Sequence, residues 1–167
     1  MNDKKVKKLI YAAMLAALVT TATMVVKIPS PTNGYVNLGD CFVLLAGWLL
    51  GPWYGGAAAG IGSMLTDLLS GYAYYAPASF LIKGLDAMVA ALLYRTLKQK
   101  RGALVISGVI GELLMAVGYF GYSALLLGKG LAAALSIPGN LVQGGVGIVA
   151  AILLMHLAKR AHLTEKL

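Results

Sequence analysis

Charge is scarce in this 167-residue chain: Asp, Glu, Lys and Arg together make up 12% of it, about half the share of a soluble domain. With 59% hydrophobic residues and a mean hydropathy of +0.80, the sequence excludes an ordinary soluble globular protein. Cysteine is nearly absent as well. Cys41 stands alone, which excludes an internal disulfide and a thiolate metal site. Also missing are a His-Glu-x-x-His, a Gly-x-Ser-x-Gly, a P-loop and a selectivity-filter sequence. No stretch is long enough for a separate soluble domain, so residues 1–167 read as a single transmembrane domain. A catalytic residue, a metal or a cofactor is not expected in it.

What remains is hydrocarbon in helix-length runs. The apolar stretches fall roughly at 8–27, 38–54, 56–71, 77–97, 103–127 and 131–158. They predict an all-α integral membrane protein, a six-transmembrane-helix bundle. Acidic residues number only six against fourteen basic ones, and the basic ones are not scattered. Lys4, Lys5, Lys7 and Lys8 precede the first run; Arg95, Lys98, Lys100 and Arg101 fill one connector; Lys159, Arg160 and Lys166 close the chain. Under the positive-inside rule these mark the cytoplasmic side and place both termini there, in a multi-pass protein of the cell membrane. Attraction to anionic lipid headgroups accounts for them without nucleic acid. The basic leader resembles a signal peptide, but its apolar run is span-length and no small-residue cleavage site follows, so it reads as the first helix.

Proline and glycine punctuate the runs. Gly51-Pro52 divides the second from the third. The outside connector 28–37 carries Pro29, Pro31 and Asn33-Gly34, so it cannot continue a helix; it is either a plain loop or a lid over a ligand site. The first helix places Ala12 with Ala16 and Ala13 with Ala17 at i, i+4 spacing, a smooth face suited to close helix packing within the protein or to docking another membrane protein.

Against this background five charges stand out: Asp40, Asp67, Lys83, Asp86 and Glu112. A charge at the bilayer centre costs about 2.5 kcal/mol or more, so each needs a partner, a cavity or a ligand. Asp40, after Asn37 and Gly39, reads as an N-cap or a pocket residue. Lys83 and Asp86, three apart on one helix face, either neutralise each other or serve a ligand. Glu112 lies mid-span with no charged neighbour in its helix. Counted along the helices, these residues gather toward the outer half with Asn37, Tyr72, Tyr74, Tyr75, Tyr119, Tyr122, Asn140 and Gln143. The tyrosines suit either an interfacial belt or stacking on a flat ligand. Together they predict a substrate-binding pocket formed by Asn37, Asp40, Asp67, Tyr72, Tyr75, Lys83, Glu112, Tyr119, Tyr122, Asn140 and Gln143.

Several motifs carry a resemblance: Asn37-Leu38-Gly39-Asp40, Leu50-Gly51-Pro52, the run from Gly60-Ile61-Gly62-Ser63 through Thr66-Asp67 to Gly71-Tyr72, and Pro77-Ala78-Ser79-Phe80-Leu81-Ile82-Lys83-Gly84. With the alanine face, they cover about residues 12–85 and resemble the substrate-binding S components of energy-coupling factor (ECF) vitamin transporters, the riboflavin-type subgroup. The resemblance implies a subunit that captures a small water-soluble vitamin or precursor in an outward-facing pocket. It also implies partners, a membrane scaffold subunit and two ATPase subunits, with Ala12, Ala13, Ala16 and Ala17 as the docking surface. Hydroxymethylpyrimidine or a vitamin B6 form is the first expectation for the ligand and riboflavin the next. The other reading is a self-sufficient secondary transporter whose coupling proton rides on Glu112 or Asp67.

Overall fold

A computed structural model describes residues 3–30, 34–98, 100 and 102–163. Among these residues six α-helices follow in chain order: α1 (Asp3–Val25), α2 (Asp40–Leu50), α3 (Pro52–Leu69), α4 (Ala76–Thr96), α5 (Ala103–Gly121) and α6 (Ile137–Arg160). Between α1 and α2 the chain forms a hairpin, β1 (Lys27–Ser30) against β2 (Gly34–Asn37), antiparallel with Lys27 opposite Asn37 and Ser30 opposite Gly34. The connector expected as irregular loop is therefore partly strand. Pro29 fits there because a two-stranded ribbon leaves outward N–H positions unused. Its tip, residues 31–33, lies outside the described residues, as do the basic residues Arg101 and Lys166.

Proline also marks the helix starts. Pro52, Pro77 and Pro138 each stand in the first turn of a helix, where their missing N–H has no intrahelical partner to lose. Gly51 makes the corner between α2 and α3 at φ +84°, a left-handed conformation that suits glycine, and its N–H closes α2 on the Gly47 carbonyl. Past α5 the helix widens into a π turn over Tyr122–Leu126, and a 3-10 segment, Gly130–Ser136, leads into α6.

Among the described residues, four helical stretches are long and apolar enough to cross a membrane: Asp3–Val25, Ala76–Thr96, Ala103–Leu126 and Gly130–Arg160. At 11 residues, α2 is about 16 Å long, roughly half a hydrocarbon core. Large apolar side chains such as Leu9, Met14, Val117, Leu141 and Leu153 stand exposed on the outside of the bundle, as a lipid solvent permits. Inside, α3 and α4 approach through small residues. A methyl group on Gly60 would fall 2.6 Å from the Phe80 carbonyl oxygen, so backbone meets backbone there.

The two ends of the bundle differ in chemistry. At one, Lys159 donates to the Tyr94 hydroxyl (3.0 Å) and the Arg95 guanidinium covers Gly51. The close of α6, the close of α4 and the α2–α3 corner therefore share one end. Tyr11 and Ala12 of α1 pack into the same apolar cluster as Trp48, Leu50 and Tyr94. The polar residues collect at the opposite end.

Candidate functional site

At that opposite end the helices line a partly open cavity of about 80 Å³. Every helix contributes to its wall, because α1, α3 and α5 end there while α2, α4 and α6 begin there. Thr23 comes from α1, Asn37 from β2, Asp40 from α2, and Ser63 and Asp67 from α3. Tyr72 and Tyr75 come from the α3–α4 connector, Ser79 and Lys83 from α4, and Tyr119 from α5. The π turn adds Ser123, the following segment Lys129, Ala133 and Ser136, and α6 adds Gly139, Asn140 and Gln143.

A continuous chain of polar contacts forms the deep wall. Lys83 pairs with Oδ1 of Asp40, and both side chains are almost wholly buried. The Gln143 amide donates to the other Asp40 oxygen (2.7 Å), while its own oxygen accepts from the Asn37 backbone N–H (2.8 Å) and side-chain amide (3.2 Å). The Asn37 side-chain oxygen accepts from the Gly39 N–H (2.7 Å). A buried ion pair holds only when its remaining lone pairs are satisfied, and here Gln143 satisfies them.

Two sequence readings are corrected by this network. Asp40 is not the cap of α2: Gly39 stands at the N-cap position without a side-chain cap bond, and the Asp40 carboxylate is spent on Lys83 and Gln143. Lys83 does not pair with Asp86 along its own helix face but crosses to α2.

The upper wall is hydroxyl and aromatic. Tyr119 shares a hydrogen bond with Ser79 (2.8 Å), and Tyr75 shares one with Ser123 (2.9 Å). The Lys83 ammonium lies 5.8 Å from the Tyr119 ring centroid, and Lys129 lies 5.7 Å from that of Tyr75, both within cation–π range. Tyr75 packs on Tyr74, Tyr119 and Tyr122, with centroids 4.9, 6.2 and 5.6 Å away.

Of the eleven expected pocket residues, Asn37, Asp40, Asp67, Tyr72, Tyr75, Lys83, Tyr119, Asn140 and Gln143 line the cavity. Tyr122 does not; its hydroxyl donates to the Tyr74 carbonyl, and its ring borders a shallow apolar groove with Ala78, Leu81 and Gly118. Glu112 does not either. It lies buried beside Gly144 of α6, where a methyl group would sit 2.8 Å from the Glu112 Cβ. Asp86 is seated likewise over Gly111 of α5, and Asp40 over Gly147 of α6. Both oxygens of Asp86 have no hydrogen-bond partner among the described residues, whereas the Glu112 carboxyl lies against Asp40.

Sequence reading passed over Thr23, Ser63, Ser79, Ser123, Ser136 and Lys129 on the wall. The hydroxyls gave no signal, since Ser and Thr also bond to the preceding turn of their own apolar helix, as Thr23 does to the Val19 carbonyl. Lys129 did give one: it is a basic residue between the apolar runs 103–127 and 131–158, which six runs with both termini inside put on the outer side, against the positive-inside rule. The alanine face also divides. Ala13 and Ala17 are exposed, Ala12 is partly buried, and Ala16 is buried with its carbonyl against Gly62 of α3, so Ala16 offers no surface to a partner.

Comparison with known proteins agrees with this architecture. The family model described as the ECF-type riboflavin transporter, S component, matches residues 3–160. An uncharacterised protein of Pyrococcus woesei is 33% identical over 139 residues, which cover 78% of this chain and 93% of that protein. The thiamine precursor transporter HmpT of Lactococcus lactis is 31% identical over 163 residues, 96% of this chain and 92% of the relative. Among solved structures, the S component of a bacterial ECF transporter superposes with a TM-score of 0.70 at 26% identity, covering 94% of this chain and 98% of that one.

Proposed function

This chain belongs to the S-component family of ECF-type riboflavin transporters, and on that premise we propose that it captures a small water-soluble vitamin or precursor for an ATP-driven importer. Members of the family are substrate-binding membrane subunits of vitamin uptake systems rather than enzymes. The ligand we assign first is hydroxymethylpyrimidine or a vitamin B6 form, with riboflavin second. One observation carries this order: aromatic ring faces, a carboxylate, an ammonium and hydroxyls line one cavity, a set that suits a small substituted nitrogen ring. Tyr72, Tyr75 and Tyr119 offer ring faces for stacking, and Asp67, Lys83 and the wall hydroxyls offer hydrogen bonds to its substituents. Likeness to a thiamine precursor transporter supports the same choice.

In this reading six crossings place both termini in the cytoplasm and turn the cavity outward. The support is geometric: Lys159 and Arg95 share one end of the bundle and the cavity lies at the other. The strands Lys27–Ser30 and Gly34–Asn37 act as a lid on the cavity, anchored by Asn37. Ala13 and Ala17, with Ala12 at the edge, form the surface that meets the scaffold subunit, which two ATPase subunits drive.

The test is to purify the protein gently and identify the co-purifying small molecule by mass spectrometry, then to measure uptake with and without the ATPase module. A pyrimidine or pyridine compound and ATPase-dependent uptake are the expected results. Uptake that persists without the module and collapses on adding an uncoupler would replace this reading with a proton-coupled secondary transporter.

A further inference from the structure

The shallow apolar groove beside Tyr122 backs onto the ligand cavity through the seam between α4 and α5. Along α4, Ala78 and Ile82 face the groove, and the next residue in each case, Ser79 and Lys83, lines the cavity. The other side of the seam repeats the pattern: Gly118 and Tyr122 face the groove, and Tyr119 and Ser123 line the cavity. The seam is therefore a partition between two spaces. On the cavity side it is tied by the Ser79–Tyr119 and Tyr75–Ser123 hydrogen bonds. What fills the groove bears on the tyrosine wall behind it.

Its form and chemistry suit a hydrocarbon chain. Buried Ala78 and Ile82, with Gly118 and Gly121, keep the floor low, and Leu81 (60% exposed) and Leu125 (83% exposed) stand as rims. Tyr122 supplies the one polar side chain among the described lining residues, and its hydroxyl is spent on the Tyr74 carbonyl. The groove thus offers methyl and methylene contacts rather than hydrogen bonds to a peptide or a headgroup. The stretches that carry it, Ala76–Thr96 and Ala103–Leu126, are both long and apolar enough to cross a membrane. Its rims continue the exposed apolar belt of Leu85, Leu113 and Val117, so the neighbour on this face is lipid. We propose that the groove binds one acyl chain of a phospholipid, in the leaflet at the cavity end of the bundle, and that the chain braces the seam and the π turn Tyr122–Leu126. The bonds that close this turn run from the Leu127 N–H to the Tyr122 carbonyl (3.2 Å) and from the Lys129 N–H to the Ser123 carbonyl (3.1 Å). Those two amides report how firmly the turn is held.

The test titrates delipidated protein, held in a detergent with a rigid steroid skeleton, with palmitoyl-oleoyl phosphatidylcholine. That headgroup has no net charge for the basic end of the bundle to attract. Native mass spectrometry counts bound lipid, and wild-type protein should hold a single lipid most tightly. Gly121→Leu fills the floor without a clash, since a methyl there meets nothing within 4 Å. It should weaken that lipid by about tenfold or more, the scale of one leucine side chain's packing. Gly145→Leu, exposed on α6 with nothing within 4 Å, should hold lipid as wild type does. At about ten times the half-saturating concentration, lipid should slow hydrogen exchange at Leu127 and Lys129 by about tenfold in wild type and leave it unchanged in Gly121→Leu. Equal retention by wild type and Gly121→Leu overturns the site, and lipid that binds without slowing exchange overturns the bracing. Dimers in place of lipid, lost in Gly121→Leu, give the groove to a second copy and overturn the lipid assignment. Should Gly121→Leu show no folded melting transition, Leu125→Ser on the exposed rim decides: a loss of about threefold or more supports the site and unchanged retention overturns it.

Discussion

Gln143 joins three elements of the cavity, and Gln143→Leu tests how much the deep wall depends on it. The substitution keeps an apolar side chain of similar size but removes three hydrogen bonds: two from Asn37, at 2.8 and 3.2 Å, and one to Asp40, at 2.7 Å. Two neutral bonds at about 1 kcal/mol each and one charge-assisted bond at about 1.5–3 kcal/mol sum to about 3.5–5 kcal/mol of expected destabilisation. For a chain of this length that corresponds to a fall in melting temperature of roughly 7–20 °C, readable by thermal unfolding of the detergent-purified protein. The location of the loss is as diagnostic as its size. The Asn37 amide loses its acceptor, so hydrogen exchange should accelerate at β2 before the helices respond. Asn37→Ala removes one of the same bonds, so the double variant should be less destabilised than the sum of the singles, by about 1 kcal/mol. A loss below about 1 kcal/mol with unchanged exchange at Asn37 would refute the network as a support of the site.

Three other sets of substitutions probe separate parts of the molecule. Gly60→Ala, whose new methyl would meet the Phe80 carbonyl at 2.6 Å, should destabilise by about 1–3 kcal/mol in chemical unfolding, whereas Gly145→Ala, with nothing within 4 Å, should be neutral or slightly stabilising. Ala13→Trp and Ala17→Trp should leave ligand affinity unchanged and abolish uptake with the full transporter, while Ala16→Trp should lower the melting temperature of the isolated subunit because residue 16 is buried. Tyr119→Phe loses the Ser79 bond and keeps the ring, so affinity measured by calorimetry should drop by about 1 kcal/mol, with Tyr119→Ala losing distinctly more.

Much of this arrangement was legible in the sequence because the bilayer limits what an apolar helix can carry. Helix-length runs, Gly51-Pro52 and the isolated polar residues each have one economical explanation, and together they located the helices and most of the cavity wall. The misplacements share a cause: distance along one helix says nothing about what faces it from another. Lys83 three residues from Asp86 looked like a pair, but Asp40 on α2 lies closer in space. Asp40 looked like a cap because it follows Gly39, yet its carboxylate was needed across the cavity. The alanines at positions 12, 13, 16 and 17 looked equivalent, and only the packing of α3 separates Ala16 from Ala13 and Ala17. The hairpin was hidden for a different reason, since two prolines and Asn-Gly exclude helix without specifying strand pairing.

The glycines beneath the carboxyl groups have a consequence for how such a protein changes what it recognises. Asp86, Glu112 and Asp40 occupy the volumes that side chains at Gly111, Gly144 and Gly147 would fill. The depth and aim of each acidic group are therefore set by an absence on the facing helix. A methyl at position 144 would collide with Glu112 and alter the charge beneath the cavity while every wall-lining residue kept its identity. Two chains with identical walls would then select different ligands, and a comparison limited to the residues that touch the ligand would find no difference between them.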